Sequence, residues 1–247
     1  MCNKTKAVYR YNLQTVSKPV GIFYLVVFLI LLFFSLTAFL TSGSSQVTGI
    51  EFSTIIFLFV LALVDFRENF EVLNQFGTSR KSIYFGKVLS FSTLGLVITL
   101  IDRLVAFLVP TVTKFIDNFM YESFFNVMYE HKFQDMEALP KALLPLLLAF
   151  SMYMAALSAG TFLSVLFYRT NRIGRIAIAA GIPIFIFVAL PIIMTYIYTT
   201  KLSKVFMNLL ELTLSTPLRA SITFLSGALL IGTITYFVVK KATLKGK

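Results

Sequence analysis

The side chains of this chain that could carry chemistry are few, and most stand alone. It has one cysteine, Cys2, and one histidine, His131. An internal disulfide is therefore impossible, and the two make no metal set. His131 lies among Tyr129, Glu130 and Lys132 and reads as a solvated loop residue rather than a ligand or pH sensor. No HExxH, no GxSxG and no pair of aspartates within an apolar run occurs, so no catalytic residue is nominated. Gly86-Lys87 lacks the glycine five residues upstream that a phosphate-cradling loop needs. What remains is Asp102-Arg103, the one ionisable pair well inside an apolar run. Adjacent helix residues point in different directions, so the two have separate partners. One of them lines a substrate path, or both reach the headgroups as interfacial anchors.

The elements that must position this pair are membrane helices. The chain is 57% apolar and 13% charged, with a mean hydropathy of +0.84, whereas soluble domains carry about 25% charged residues. Six charge-poor runs stand out, at about 21–40, 49–64, 83–108, 143–168, 176–199 and 218–239. Most approach the roughly 20 residues that cross about 30 Å of hydrocarbon. Counted from Ile83, Asp102 and Arg103 fall about 29 Å along the third run, near its outer boundary. The first run exceeds the about 7–15 residues of a signal-peptide core, so it is expected to be retained as a span. The fold class expected is an all-α membrane protein.

Charge gives these spans an orientation. Threading them alternately places 15 of the 22 basic residues on one side with three acids, Asp65, Glu68 and Glu71. The other side holds six basic residues against seven acids. Basic residues collect in short cytoplasmic loops, so both termini are expected inside, in a multi-pass plasma-membrane protein. A pI near 9.8 then answers to anionic lipid headgroups rather than to nucleic acid.

Three segments outside the spans carry patterns of their own. In residues 1–20, Tyr9, Leu13, Val16 and Val20 share one helical face, predicting an amphipathic helix along the inner headgroups before Pro19 and Gly21 turn the chain into span one. Residues 21–239 form one six-helix domain, and 240–247 a basic tail. Between spans two and three, Phe66, Phe70 and Leu73 repeat at helical spacing, Gly77 suits a helix end, and Thr78 or Ser79 can cap the next helix. The pattern predicts a short cytoplasmic helix, a sharp turn and a return to the membrane. Arg80 and Lys81 begin that returning helix, where its dipole disfavours cations. On the outer side, Ile116, Met120, Phe124 and Val127 predict one surface helix, and Phe206, Leu209 and Leu210 a second.

Helices that bend and slide are also written into the chain. Pro183 and Pro191 favour kinks in span five. Ala155 with Ala159, Ala156 with Gly160, and Ala228 with Gly232 are small-xxx-small pairs that allow close helix approach, within one bundle or at a dimer seam.

The arm, the six spans and the loop Glu71-Val-Leu-Asn-Gln-Phe-Gly-Thr-Ser-Arg-Lys81, with Gly86-Lys87 beyond, resemble the permease subunits of bacterial type-2 ATP-binding-cassette exporters. The resemblance implies that residues 1–20 are the elbow helix and that the loop is a coupling helix. Phe70, Glu71, Leu73, Asn74, Gln75, Arg80 and Lys81 would then form its ATPase-docking surface. It implies ATP and Mg in a separate ATPase subunit, no cofactor on this chain, and a second permease copy, identical or related. The cargo by analogy is an amphipathic, antimicrobial-type peptide or a lipid-like molecule, exported outward. The alternative is a secondary transporter or an autonomous multi-span protein without an ATPase partner.

Overall fold

The structure is a computed structural model and describes residues 2–40, 45–115, 119–133, 138–171, 173–177, 181, 188–189, 191–193, 195 and 202–240. Helices account for nearly all of them: α1 (Cys2–Leu40), α2 (Ile50–Gln75), α3 (Arg80–Val112), α4 (Phe124–Phe133), α5 (Ala138–Arg169), α6 (Leu202–Leu214) and α7 (Pro217–Lys240). Four of these, α1, α3, α5 and α7, are long and apolar enough to cross a membrane, consistent with an all-α membrane protein. They carry the expected spans one, three, four and six. Expected span two lies in α2, where Glu51 and Asp65 bracket an uncharged stretch at 52–64, only about 20 Å of helix. Span five, with Pro183, falls mostly outside the described residues. Pro191 is helical and exposed.

Two expectations are corrected at the start of the chain and in the first loop. The arm and span one are a single 39-residue helix that runs straight through Pro19 and Gly21. A proline removes one backbone donor, and membrane helices tolerate that loss. The loop helix likewise is no separate element. Its residues are the last turns of α2, which continues unbroken from Ile50 to Gln75.

The turn between α2 and α3 follows from its residues. Gly77 adopts φ +66°, its amide donates to Asn74 O, and the Thr78 amide donates to Leu73 O. This is the Schellman closure that glycine allows. Ser79 then caps α3, its Oγ accepting from the Ser82 amide.

A feature absent from the sequence reading is a two-stranded parallel pair, β1 (Ser45–Thr48) with β2 (Phe119–Glu122). Each strand follows a long helix, α1 or α3. Parallel strands need a long crossover, and the α2–α3 hairpin supplies it. The first outer segment is therefore strand and then helix: Met120 lies in β2, Phe124 opens α4, and Ile116 is outside the described residues. The second outer helix is present as α6.

Packing gathers the elements into two ends. At one, Val8 of α1, Phe66, Phe70 and Leu73 of α2, Ile83 of α3, Val165 and Tyr168 of α5, and Val239 of α7 form one buried cluster. Lys4, Arg80, Arg169 and Lys240 lie at this end, and their hydrogen bonds tie it together. Lys4 Nζ reaches Gly77 O at 3.4 Å, Arg80 reaches Lys240 O at 3.0 Å, and Arg169 reaches Val238 O at 3.5 Å. At the opposite end Phe125 and Tyr129 of α4 pack on Leu148 of α5 and Ala220 of α7. In the middle, Leu58, Ile98, Tyr153 and Leu157 join α2, α3 and α5.

Glycine sets the closest helix approaches. A Cβ on Gly160 would stand 2.4 Å from Phe59 O of α2, and one on Gly86 would stand 2.7 Å from the Val8 side chain of α1. The Ala156/Gly160 pair thus serves contact within the bundle.

Candidate functional site

The α2–α3 tip presents a mixed surface. Glu71, Gln75 and Lys81 are exposed, and Asn74 is half-buried with its Nδ2 donating to Phe70 O at 2.8 Å. Phe70 and Leu73, expected on the docking surface, are instead 1% and 7% exposed. Phe70 stacks on Phe66 and meets Tyr168 edge-on. The helical face is present, but it turns inward, because α5 and α7 offer apolar partners there. The aromatic that the tip exposes instead is Phe76, 79% exposed at the C-cap of α2. Its signal was the position itself: a phenylalanine just before the glycine of the turn has no helix face left to pack against.

Arg80 resolves the dipole conflict expected of it. Its guanidinium leaves the N-terminus of α3 for the last carbonyl of α7, Lys240 O, where a cation is favoured. Arg169, in the last turn of α5, reaches the same end of α7 two residues earlier, at Val238 O.

Below the tip lies a buried polar network of Asn12, Asp65, Asn69 and Lys87. Lys87 of α3 and Asp65 of α2 form an ion pair at 2.8 Å, each side chain 5% exposed. Asp65 also accepts from Asn69 Nδ2 at 2.6 Å, and Asn69 Nδ2 lies 3.3 Å from Asn12 Oδ1 of α1. The Lys87 ammonium sits 4.9 Å from the Phe66 ring centroid and 5.1 Å from that of Phe91, a cation–π arrangement on two rings. The network joins α1, α2 and α3. A one-turn spacing places Asp65 and Asn69 on one face of α2, but nothing local pairs Asp65 with a lysine on the next helix.

Asp102 lies toward the other end, inside the bundle rather than on its surface. It is 5% exposed and accepts from Tyr24 Oη of α1 at 2.8 Å and from Tyr153 Oη of α5. Arg103 is half-buried and lines, with Asp102, Glu51, Thr99 and Phe124, a water-sized cavity of about 30 Å³. Glu51 Oε2 accepts from the Phe124 amide at 3.2 Å. The two neighbours thus border one cavity, while the hydrogen bonds of Asp102 go to tyrosines of α1 and α5.

A larger cavity, about 370 Å³, opens between α3, α5 and α7. Its wall is apolar, with Phe91, Met154, Leu157, Leu225 and Ala228, and it includes Ser158, Thr161, Thr235 and the Lys87 side chain. Tyr84 crosses one end, its Oη donating to Gly232 O at 2.6 Å. Gly232 has the Tyr84 oxygen 3.3 Å from where its Cβ would stand, so the second small residue of the Ala228/Gly232 pair makes room for a tyrosine.

Comparison with family models, with curated proteins and with solved structures finds no match for this chain.

Proposed function

We propose that this chain is the transmembrane permease of an ATP-binding-cassette exporter, in which a separate soluble ATPase docks on the α2–α3 tip. The observation that carries the reading is the tip itself. A rigid Schellman turn holds one exposed aromatic, Phe76, among Glu71, Gln75 and Lys81. An exposed aromatic ringed by polar groups is a typical anchor for a protein partner. The docking surface is Glu71, Gln75, Phe76 and Lys81, with Asn74 partly accessible, while Phe70 and Leu73 form the rigid backing. Arg80 links the tip to the end of α7, so a push on the tip reaches α7 directly.

In this reading both termini and the tip face the cytoplasm of a bacterial cell, and a second permease copy completes the pathway. ATP and Mg stay with the ATPase. The exported cargo is an amphipathic peptide or lipid-like molecule.

Copurification tests the proposal. Tagged protein extracted from its native membrane is expected to bring down a stoichiometric nucleotide-binding ATPase. Glu71→Ala with Gln75→Ala and Phe76→Ala should lose the ATPase while leaving insertion intact. An unchanged complex in that variant speaks against docking at the tip.

A second reading, secondary transport, is favoured by a specific observation: ionisable groups are buried within the bundle at Asp65, Lys87 and Asp102. Such groups are the usual coupling machinery of ion-driven carriers. Absence of any ATPase at native expression, together with transport that follows an imposed proton gradient, would select it.

A further inference from the structure

We infer that the cavity between α3, α5 and α7 binds a long-chain amphiphile with an anionic head group, which Lys87 receives. The inference deepens the export reading by naming a cargo class, and its binding test needs no ATPase.

Lys87 belongs to two structures at once. It is one half of the buried ion pair with Asp65, and it lines the cavity. An ammonium has three N–H donors. Among the described residues Asp65 is the one carboxylate paired with Nζ, and the faces of Phe66 and Phe91 flank it at 4.9 and 5.1 Å. Lys87 forms part of the cavity wall while its ammonium stays shielded just behind it, so an anionic or strongly accepting group satisfies the spare donors once the side chain turns toward the cavity.

Asp65 is built to share its lysine. It holds a second donor, Asn69 Nδ2 at 2.6 Å. Asn12 Nδ2 is buried in the same network with no hydrogen-bond partner among the described residues, a donor in reserve. A ligand head that draws on Lys87 thus leaves Asp65 with an amide.

The rest of the cavity suits an alkyl chain. Its volume falls within the about 300–1,000 Å³ of small-molecule sites. It follows α7 from Tyr236 to Leu225, about 16 Å of helix rise. Phe91, Met154, Leu157 and Leu225 supply the wall. Phe85, Val88 and Leu229 contribute to its lining and are themselves exposed, which gives an apolar approach from the bilayer.

The probes are oleate, oleyl alcohol and phosphatidylglycerol, added below micellar concentration to the purified full chain in a nonionic detergent and counted by native mass spectrometry. The expected result is one oleate per chain, bound at least tenfold more tightly than the alcohol. Phosphatidylglycerol distinguishes a two-chain lipid from a free acid. Its binding in place of oleate at the same site supports the inference equally.

The variant Lys87→Met with Asp65→Asn removes both charges together and should lower oleate affinity to that of the alcohol. Ala228→Leu fills the wall and should weaken both probes at least tenfold. Thr233→Phe, at an exposed position of the lining, is a second obstruction that spares the core. Equal affinity for acid and alcohol in the wild-type chain overturns the inference. So does full oleate binding in folded Ala228→Leu or Thr233→Phe.

Discussion

The ammonium of Lys87 is held between one carboxylate and two aromatic rings. Removing one member of a buried ion pair strands the other, at a cost of about 3–5 kcal/mol, whereas replacing both by neutral groups is often close to neutral. Lys87→Met alone is therefore expected to lower stability by about that amount, and adding Asp65→Asn to restore most of it. Unfolding in detergent, followed by circular dichroism, reads both. Additive losses would mean that the two residues do not interact. At Asp102, Tyr24→Phe and Tyr153→Phe each withdraw an O–H donor from a buried carboxylate, and each should cost about 1–3 kcal/mol. An unchanged melting temperature in both would contradict the geometry. Neither cluster was legible as a cluster in the sequence. Asp102 stood out because it interrupts an apolar run, but its tyrosine partners come from α1 and α5. Asp65 follows span two and Lys87 lies in the first turns of span three, so both looked like topology charges, and only the hairpin brings them together.

Helix by helix, the fold depends on where glycine lets backbones meet. Gly160→Leu forces α5 off α2, since its Cβ alone would stand 2.4 Å from Phe59 O, and Gly86→Val drives α1 off α3 at Val8. Both variants are expected to lose folded yield in size-exclusion profiles. Gly227→Ala is the control. Nothing lies within 4 Å of its Cβ position, and alanine favours the helix by about 1 kcal/mol, so the variant should match or exceed wild-type stability. Loss of folding in this control, or tolerance of the other two, would sink the packing account. The ends of these elements were well marked in sequence, Gly77 as a stop and Ser79 as a cap, because capping chemistry is local. Continuity was not. Pro19 read as a break because proline costs a helix about 3 kcal/mol in water, a cost that packing along α1 offsets. The burial of Phe70 and Leu73 was equally hidden, since periodicity finds a face but not its partner.

Across the whole molecule, the basic residues Lys4, Arg80, Arg169 and Lys240 come together at one end, while β1, β2 and α4 lie toward the other. This clustering agrees with the expected sorting of charge, which as a sum over many residues is robust to any single error. In a Cys2→Ser background, single cysteines at Lys81 and at Asn126 are expected to react with a membrane-impermeant maleimide from opposite faces, Asn126 from outside intact cells. Labelling of both from one side would refute the arrangement. The reading of this molecule as a permease rests on its tip. The most direct test places a photo-crosslinking amino acid at Phe76 in the native membrane and identifies the adduct by mass spectrometry. The account predicts a crosslink to a soluble nucleotide-binding ATPase, abolished by Glu71→Ala with Gln75→Ala. Crosslinks to lipid alone, or to a protein on the outer face, would contradict it.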